Sequence, residues 1–156
     1  MLMRHVPGKV ALMRSPTMDP LADDLATALR ARGLRVTPQR VVLHRALREL
    51  DRHVTADELL ESVSDRLPNV SLPTLYATLA LLEELGMVRR VQRAGTTLFD
   101  PRTDPHHHLV CTSCGSMEDL DSDLDTRRLE RAAARRGFEH ERIEAAVHGR
   151  CARCRG

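Results

Sequence analysis

Every cysteine of the chain sits in one of two Cys-x-x-Cys pairs, Cys111/Cys114 and Cys151/Cys154. The first pair closes the stretch DPHHHLVCTSCG, residues 104–115, in a chain with only eight His and four Cys. Thiolate and imidazole are the side chains that hold zinc and its neighbours in the first transition row. Two such pairs can close a tetrahedral shell around Zn2+, with sulfurs at about 2.3 Å, and a closed shell is structural. The same residues can also form a redox dithiol or two disulfides. The loop between the pairs is longer than in a zinc ribbon, because a helix and two strands fit inside it. Zinc there staples a C-terminal strand to the first strand of a second domain of about 50 residues, a size that is marginal without a staple.

With sulfur assigned to one site, the histidines are available for another. Side chains alternate along a strand, so HHHLVC puts His106 and His108 on one face and His107 on the other. Asp100 lies just before a proline-containing segment, Asp119 lies on the next predicted strand, and His53 lies far upstream. Imidazoles with carboxylates and no thiolate suit Fe2+, Mn2+ or Zn2+. Residue types alone leave the His run open as surface decoration, and His53 as a solitary exposed histidine.

The rest of the chain shows which elements position these groups. Its 156 residues form one domain or two small ones. There is no Trp, one Tyr and two Phe, so the core is built from Leu, Val and Ala, which suits helices. Leu21, Leu25, Ala28 and Leu29 fall on one helical stripe that stops at Gly33. Thr37-Pro38 pairs an N-cap with a proline at the first helical position, and Val42, Ala46, Leu47 and Leu50 are expected to face inward. Thr55 to Glu58 reads as a capping box ahead of Leu59, Leu60 and Val63. Ser71 opens a fourth helix with Leu75, Leu79 and Leu82 inward and Gly86 at its end. Residues 87–100 predict two short strands around Ala94-Gly95 that carry three arginines. Helices followed by a basic hairpin is the order of a winged helix-turn-helix. Beyond Pro101–Pro105, HHHLVC and SMEDLD predict strands, residues 124–136 a helix, and 143–149 a last strand.

The net charge is only +2, yet residues 30–52 hold seven Arg against Glu49 and Asp51, a footprint for an anionic partner such as DNA or simply a solvated helix face. No apolar run reaches membrane-spanning length and the N-terminus lacks a signal-peptide pattern, so the chain is expected to be cytoplasmic. A zinc deaminase needs His-x-Glu ahead of a Cys-x-x-Cys, and this sequence has none. A metal-buffering module explains the ligands but not the basic helices and hairpin.

Together LRVTPQR (34–40), HVTADEL (53–59), SLPTLYATLALLEELGMV (71–88), HHHLVCTSCG (106–115) and GRCARC (149–154) resemble the ferric uptake regulator family of metal-responsive repressors. The resemblance implies an α+β fold: a winged-helix DNA-binding domain over residues 20–100, a hinge at 101–105, and an α/β dimerisation and metal-binding domain over 106–156. Residues 1–19 read as a disordered extension. It implies a homodimer on a double-stranded DNA operator, structural Zn2+ on Cys111, Cys114, Cys151 and Cys154, and regulatory Fe2+ or Mn2+ on His53, Asp100, His106, His108 and Asp119. Iron-uptake members usually carry Glu where this chain has Asp100 and Asp119, whereas peroxide-sensing members carry Asp. That favours a sensor of hydrogen peroxide working by iron-dependent oxidation of a His ligand, His53 or His106; the alternative is an iron, manganese or zinc uptake regulator. The positions of a third family site fall on Pro105, His107, Thr126 and Ile143, so no third site is expected. The family's Arg after Thr-Val-Tyr is Ala77 here. Arg35, Arg40, Thr74, Tyr76, Arg89, Arg90 and Arg93 are the expected DNA contacts.

Overall fold

In the computed structural model, which describes residues 20–156, four helices lead: α1 (Pro20–Ala31), α2 (Pro38–Leu50), α3 (Ala56–Val63) and α4 (Leu72–Glu84). The reading of residues 1–19 lies outside the described residues. The starts are set by caps. Thr37 and Ser71 accept the N–H groups of Arg40 and Thr74, and Thr55 and Glu58 satisfy each other's backbone in a full capping box. Gly33 and Gly86, with φ of 68° and 71°, close α1 and α4 in the left-handed conformation.

Leu25, Leu29, Leu43, Leu47, Leu59, Leu75, Leu79 and Leu82 form the helical core with Val54, Val88 and Phe99. On α2 the inward stripe is turned slightly from the expected one. Leu43 is buried with Ala46 and Leu47, while Val42 and Leu50 only pack against the core's edge.

Next comes the hairpin, β1 (Arg89–Arg93) and β2 (Thr96–Asp100), antiparallel with Arg93 opposite Thr96 and Arg89 opposite Asp100. Its turn is Ala94-Gly95, both at positive φ (46° and 84°), the pairing that matches the twist of the strands. One feature is absent from the sequence reading. Val54 and Phe99 exchange both backbone hydrogen bonds, at 3.0 and 2.7 Å, so the stretch before α3 is joined to β2 by a single antiparallel bridge. This bridge sets His53 beside Asp100.

The second unit is a three-stranded sheet in the order β4-β3-β5, with β3 (His107–Cys111), β4 (Met117–Leu120) and β5 (Ala146–Gly149); β3 pairs antiparallel with β4 and parallel with β5. Helix α5 (Arg127–Ala134) links β4 to β5, and a single turn, α6 (Ala152–Arg155), holds the last cysteine pair. Helix α5 starts later than the expected 124 because the Asp125 carboxylate accepts the Arg127 N–H at 3.2 Å and holds the chain in a turn ahead of the helix. Strand β5 is shorter than 143–149 because its partner begins only at His107, after Pro105, which has no N–H to pair.

Side chains of the first unit reach the second. Arg89 is nearly buried, ion-paired to Glu144 and donating to the Asp104 carbonyl at 3.3 Å. Arg93 donates to the Gly115 carbonyl, and Arg48 to the Pro101 carbonyl at 2.8 Å. Among the described residues no helix is long and apolar enough to cross a membrane.

Phe99 is 1% exposed and fixes both the hairpin and the Val54 bridge. Phe99→Ala is expected to cost about 3–5 kcal/mol of stability by chemical denaturation; a loss under about 1 kcal/mol would contradict this packing.

Candidate metal centre

His53 stands before α3, Asp100 ends β2, His106 and His108 enter and lie on β3, and Asp119 lies on β4. From these five separate places, one ligand atom each converges to within 4.8 Å of all the others. His53 Nε2 lies 3.1 Å from His108 Nε2 and 3.6 Å from Asp100 Oδ2, and His53 Nδ1 lies 3.5 Å from Asp119 Oδ1. His106 Nε2 lies 3.1 Å from Asp100 Oδ2 and 3.6 Å from Asp119 Oδ1. All but Asp119 are buried. The isolated-surface reading of His53 therefore does not hold.

Hydrogen bonding sets the chemistry of this cluster. His106 Nδ1 lies 2.8 Å from the Asp104 carbonyl, which can only accept, so Nδ1 carries the proton and Nε2 of the neutral ring offers a lone pair. That lone pair faces Asp100 Oδ2, and neither atom has a hydrogen-bond partner. Two buried acceptors aimed at each other are costly unless a metal cation or a proton lies between them. Burial also pushes the His53 pKa down, against the opposing pull of Asp100 and Asp119, and it lowers His108 likewise. Neutral imidazoles and two carboxylates suit a divalent cation in both charge and donor type. His107 is on the other side, where its Nδ1 accepts the Ala145 N–H at 3.2 Å.

The four cysteines form the second group, again with sulfurs within 4.8 Å of one another and none in a disulfide. Cys111 ends β3, and its Sγ accepts the N–H groups of Cys114 at 3.5 Å and Cys151 at 3.3 Å. These amides hold the Cys111 thiol at about 5, while its neighbours, Cys151 foremost, push Cys154 up to about 12. The first proton of the set leaves easily and the last is held by hydrogen bonding among the neighbouring sulfurs, which a divalent ion replaces with bonds to metal. Cys114 and Cys151 sulfurs lie 3.8 Å apart. That is the edge, about 3.8 Å, of a tetrahedron with 2.3 Å metal–sulfur bonds. The Thr112 N–H donates to the Gly149 carbonyl at 2.7 Å and ties one knuckle to the other.

The residues expected at DNA divide. Thr74 and Tyr76 lie exposed on the first turns of α4. Near them, at the start of α2, Arg40 donates to the carbonyl of exposed Arg35 at 2.6 Å. Thr37, Gln39, Arg40, Thr74, Ala77 and Thr78 line a cavity of about 230 Å³ between the two helices. Arg90 points outward, paired with Glu83 at 2.8 Å. Arg89 and Arg93 point the other way, into the second unit. The three hairpin arginines, grouped as DNA contacts by their charge, are separated by the period of two along β1. Glu144, and Arg102, which lies beside Asp119, also join this region, and no local motif marks them.

Comparison with known proteins agrees with this architecture. The ferric uptake regulator family profile matches residues 31–148, which hold the whole five-residue cluster and the first cysteine pair. The peroxide-responsive repressor PerR of Staphylococcus epidermidis is 30% identical over 142 residues, covering 89% of this chain and 93% of that protein. A peroxide stress regulator of Campylobacter jejuni superposes with a TM-score of 0.62 at 28% identity, over 83% of this chain and 98% of that one. A zinc uptake regulator solved with zinc and DNA superposes with a TM-score of 0.65 at 25% identity, over 90% and 96% of the two chains. The winged helices, the small sheet and the two clusters thus belong to a metal-responsive transcriptional regulator rather than an enzyme, and the chain is a member of the ferric uptake regulator family.

Proposed function

We propose that this chain is a cytoplasmic, homodimeric repressor that binds operator DNA and senses hydrogen peroxide through iron held by His53, Asp100, His106, His108 and Asp119. Zn2+ on Cys111, Cys114, Cys151 and Cys154 is structural. The observation that carries the reading is the thiolate-free cluster whose two carboxylates are both aspartates, in which Asp100 Oδ2 and His106 Nε2 are buried together without a hydrogen-bond partner. Relatives named for peroxide response support it.

Fe2+ held by these five residues would supply the redox chemistry that splits hydrogen peroxide, with one oxygen passing to an imidazole ring and the other leaving as water. The chain supplies the target and the readout. The rings of His53 and His106 are the targets, and the one that reacts gains an oxygen atom and becomes a poorer ligand. His53 belongs to the helical unit, while His106, His108 and Asp119 belong to the sheet unit, with Asp100 at the junction (residues 101–105 serving as hinge). Loss of one ligand therefore loosens the tie between DNA-binding and dimer-forming parts. In a two-fold dimer this changes the spacing of the two recognition helices, which must match half-sites about one turn apart. Metal and DNA affinities are coupled through that closure. The exposed Leu129, Phe138 and Val147 on the sheet unit supply apolar surface for a second copy. Thr74, Tyr76, Arg35, Arg40 and Arg90 are assigned to DNA. Arg89 and Arg93 are assigned to joining the units.

Peptide mass spectrometry of the anaerobically Fe2+-loaded protein after one equivalent of peroxide should show one added oxygen on His53 or His106, and none in a Mn2+-loaded control. Unmodified histidines with iron still bound would instead indicate a regulator of iron, manganese or zinc uptake that responds to metal level by reversible binding. For DNA, Arg40→Ala should reduce the salt slope of operator affinity by about one without changing sequence preference; an unchanged slope removes Arg40 from the interface. Because burial lowers His53 and His108, protons compete with metal at these two ligands only below the ordinary imidazole value of about 6.5. Mn2+ affinity should stay level as pH falls toward that value and drop beyond it. A decline beginning near pH 8 would contradict the neutral, buried imidazoles.

A further inference from the structure

Each carboxylate of the five-residue cluster has one oxygen inside and one outside. Asp100 Oδ1 accepts the backbone N–H of Arg102 at 2.8 Å, which leaves Oδ2 facing His106 Nε2 at 3.1 Å and His53 Nε2 at 3.6 Å. Asp119 is divided in the same way. Its Oδ1 faces His53 Nδ1 and His106 Nε2 at 3.5 and 3.6 Å, and its Oδ2 lies 3.7 Å from Arg102 Nη1. A single residue thus stands behind the outer oxygen of both acids.

Arg102 is itself anchored. Its Nε and Nη2 fork onto Asp104 at 3.0 and 2.7 Å, and Nη2 also reaches Asp121 at 2.5 Å. These contacts use two nitrogens of the guanidinium and turn the third, Nη1, toward Asp119. Asp104 also gives its carbonyl to His106 Nδ1, so the loop that carries Arg102 orients an imidazole as well.

We propose that Arg102 is a positioning residue that limits Asp100 and Asp119 to one oxygen each toward the divalent ion, and thereby sets how many donors surround it. The inference rests on the metal reading of the cluster given above. A carboxylate free to turn can place both oxygens on a cation; the backbone hydrogen bond on the outer oxygen of Asp100 and the guanidinium charge beside that of Asp119 oppose the rotation. The guanidinium stays charged at any working pH, so the restraint does not titrate away. A mere surface ion pair between loop and strand would leave the donor number untouched.

The test uses Co2+ as the probe in the full-length zinc-containing protein, read by visible absorption, whose intensity falls when donors are added to the ion. Arg102→Gln keeps the backbone N–H on Asp100 and removes the guanidinium from Asp119. Its Co2+ bands should weaken several-fold relative to the parent, at equal zinc content, as Asp119 turns both oxygens inward. Arg102→Lys keeps the charge without the fork and should fall between the two. Should Arg102→Gln fail to fold, Asp121→Asn removes one anchor of Arg102, touches no cluster residue, and should shift the spectrum the same way by less. A parent-like spectrum in these variants overturns the role of Arg102. A parent that binds Co2+ nowhere but at sulfur overturns the metal reading itself, and the role of Arg102 with it.

Discussion

Two lone pairs that face each other in a dry place govern this molecule. His106 Nε2 and Asp100 Oδ2 are buried, close and without donors. Water cannot solvate them there, and no side chain of the cluster donates to them, so the arrangement is stable only with positive charge between them. The consequence extends outward from that point. Asp100 ends the hairpin, His106 precedes the sheet, and His53 is pinned beside Asp100 by the Val54–Phe99 bridge. An ion that satisfies the lone pairs therefore also settles how the helical unit lies against the sheet.

The two units differ in how much they can do without such help. The helical unit buries a continuous set of leucines. Among the described residues of the sheet unit, 106–156, the only buried apolar residue is Cys111, while Leu129, Phe138 and Val147 are 56%, 66% and 54% exposed. A sheet of three short strands with one helix that buries nothing lacks enough apolar burial to hold itself. The four convergent cysteines and the exposed apolar side chains are the places where support from outside that core can enter.

Local chemistry was legible in the sequence and tertiary geometry was not. The caps at Thr37, Thr55 and Ser71, the turn at Ala94-Gly95 and the cysteine pairs are set by residues within a few positions of one another, so a single sequence reveals them. The alternation of His106 and His108 was readable for the same reason. His53 was not: no local rule ties it to a strand more than forty positions downstream, and only the family resemblance brought it in. Arg89 was misjudged because charge was counted without facing. Arg102 was passed over because its partners, Asp104 and Asp121, converge only once the hinge and β4 are in place.

The spacing of ligands along the chain also orders events while the protein is being made. All of the helical core and its hairpin are complete by Asp100, so that unit can fold as soon as its residues have emerged. The sulfur cluster joins Cys111 to Cys154, and nothing can close it until the chain beyond Cys154 has been synthesised. Between those two moments the nascent chain carries a folded reader of DNA attached to an open, thiol-bearing tail. Completion of the sulfur cluster, rather than of the helical core, is therefore the last local event that the order of residues allows.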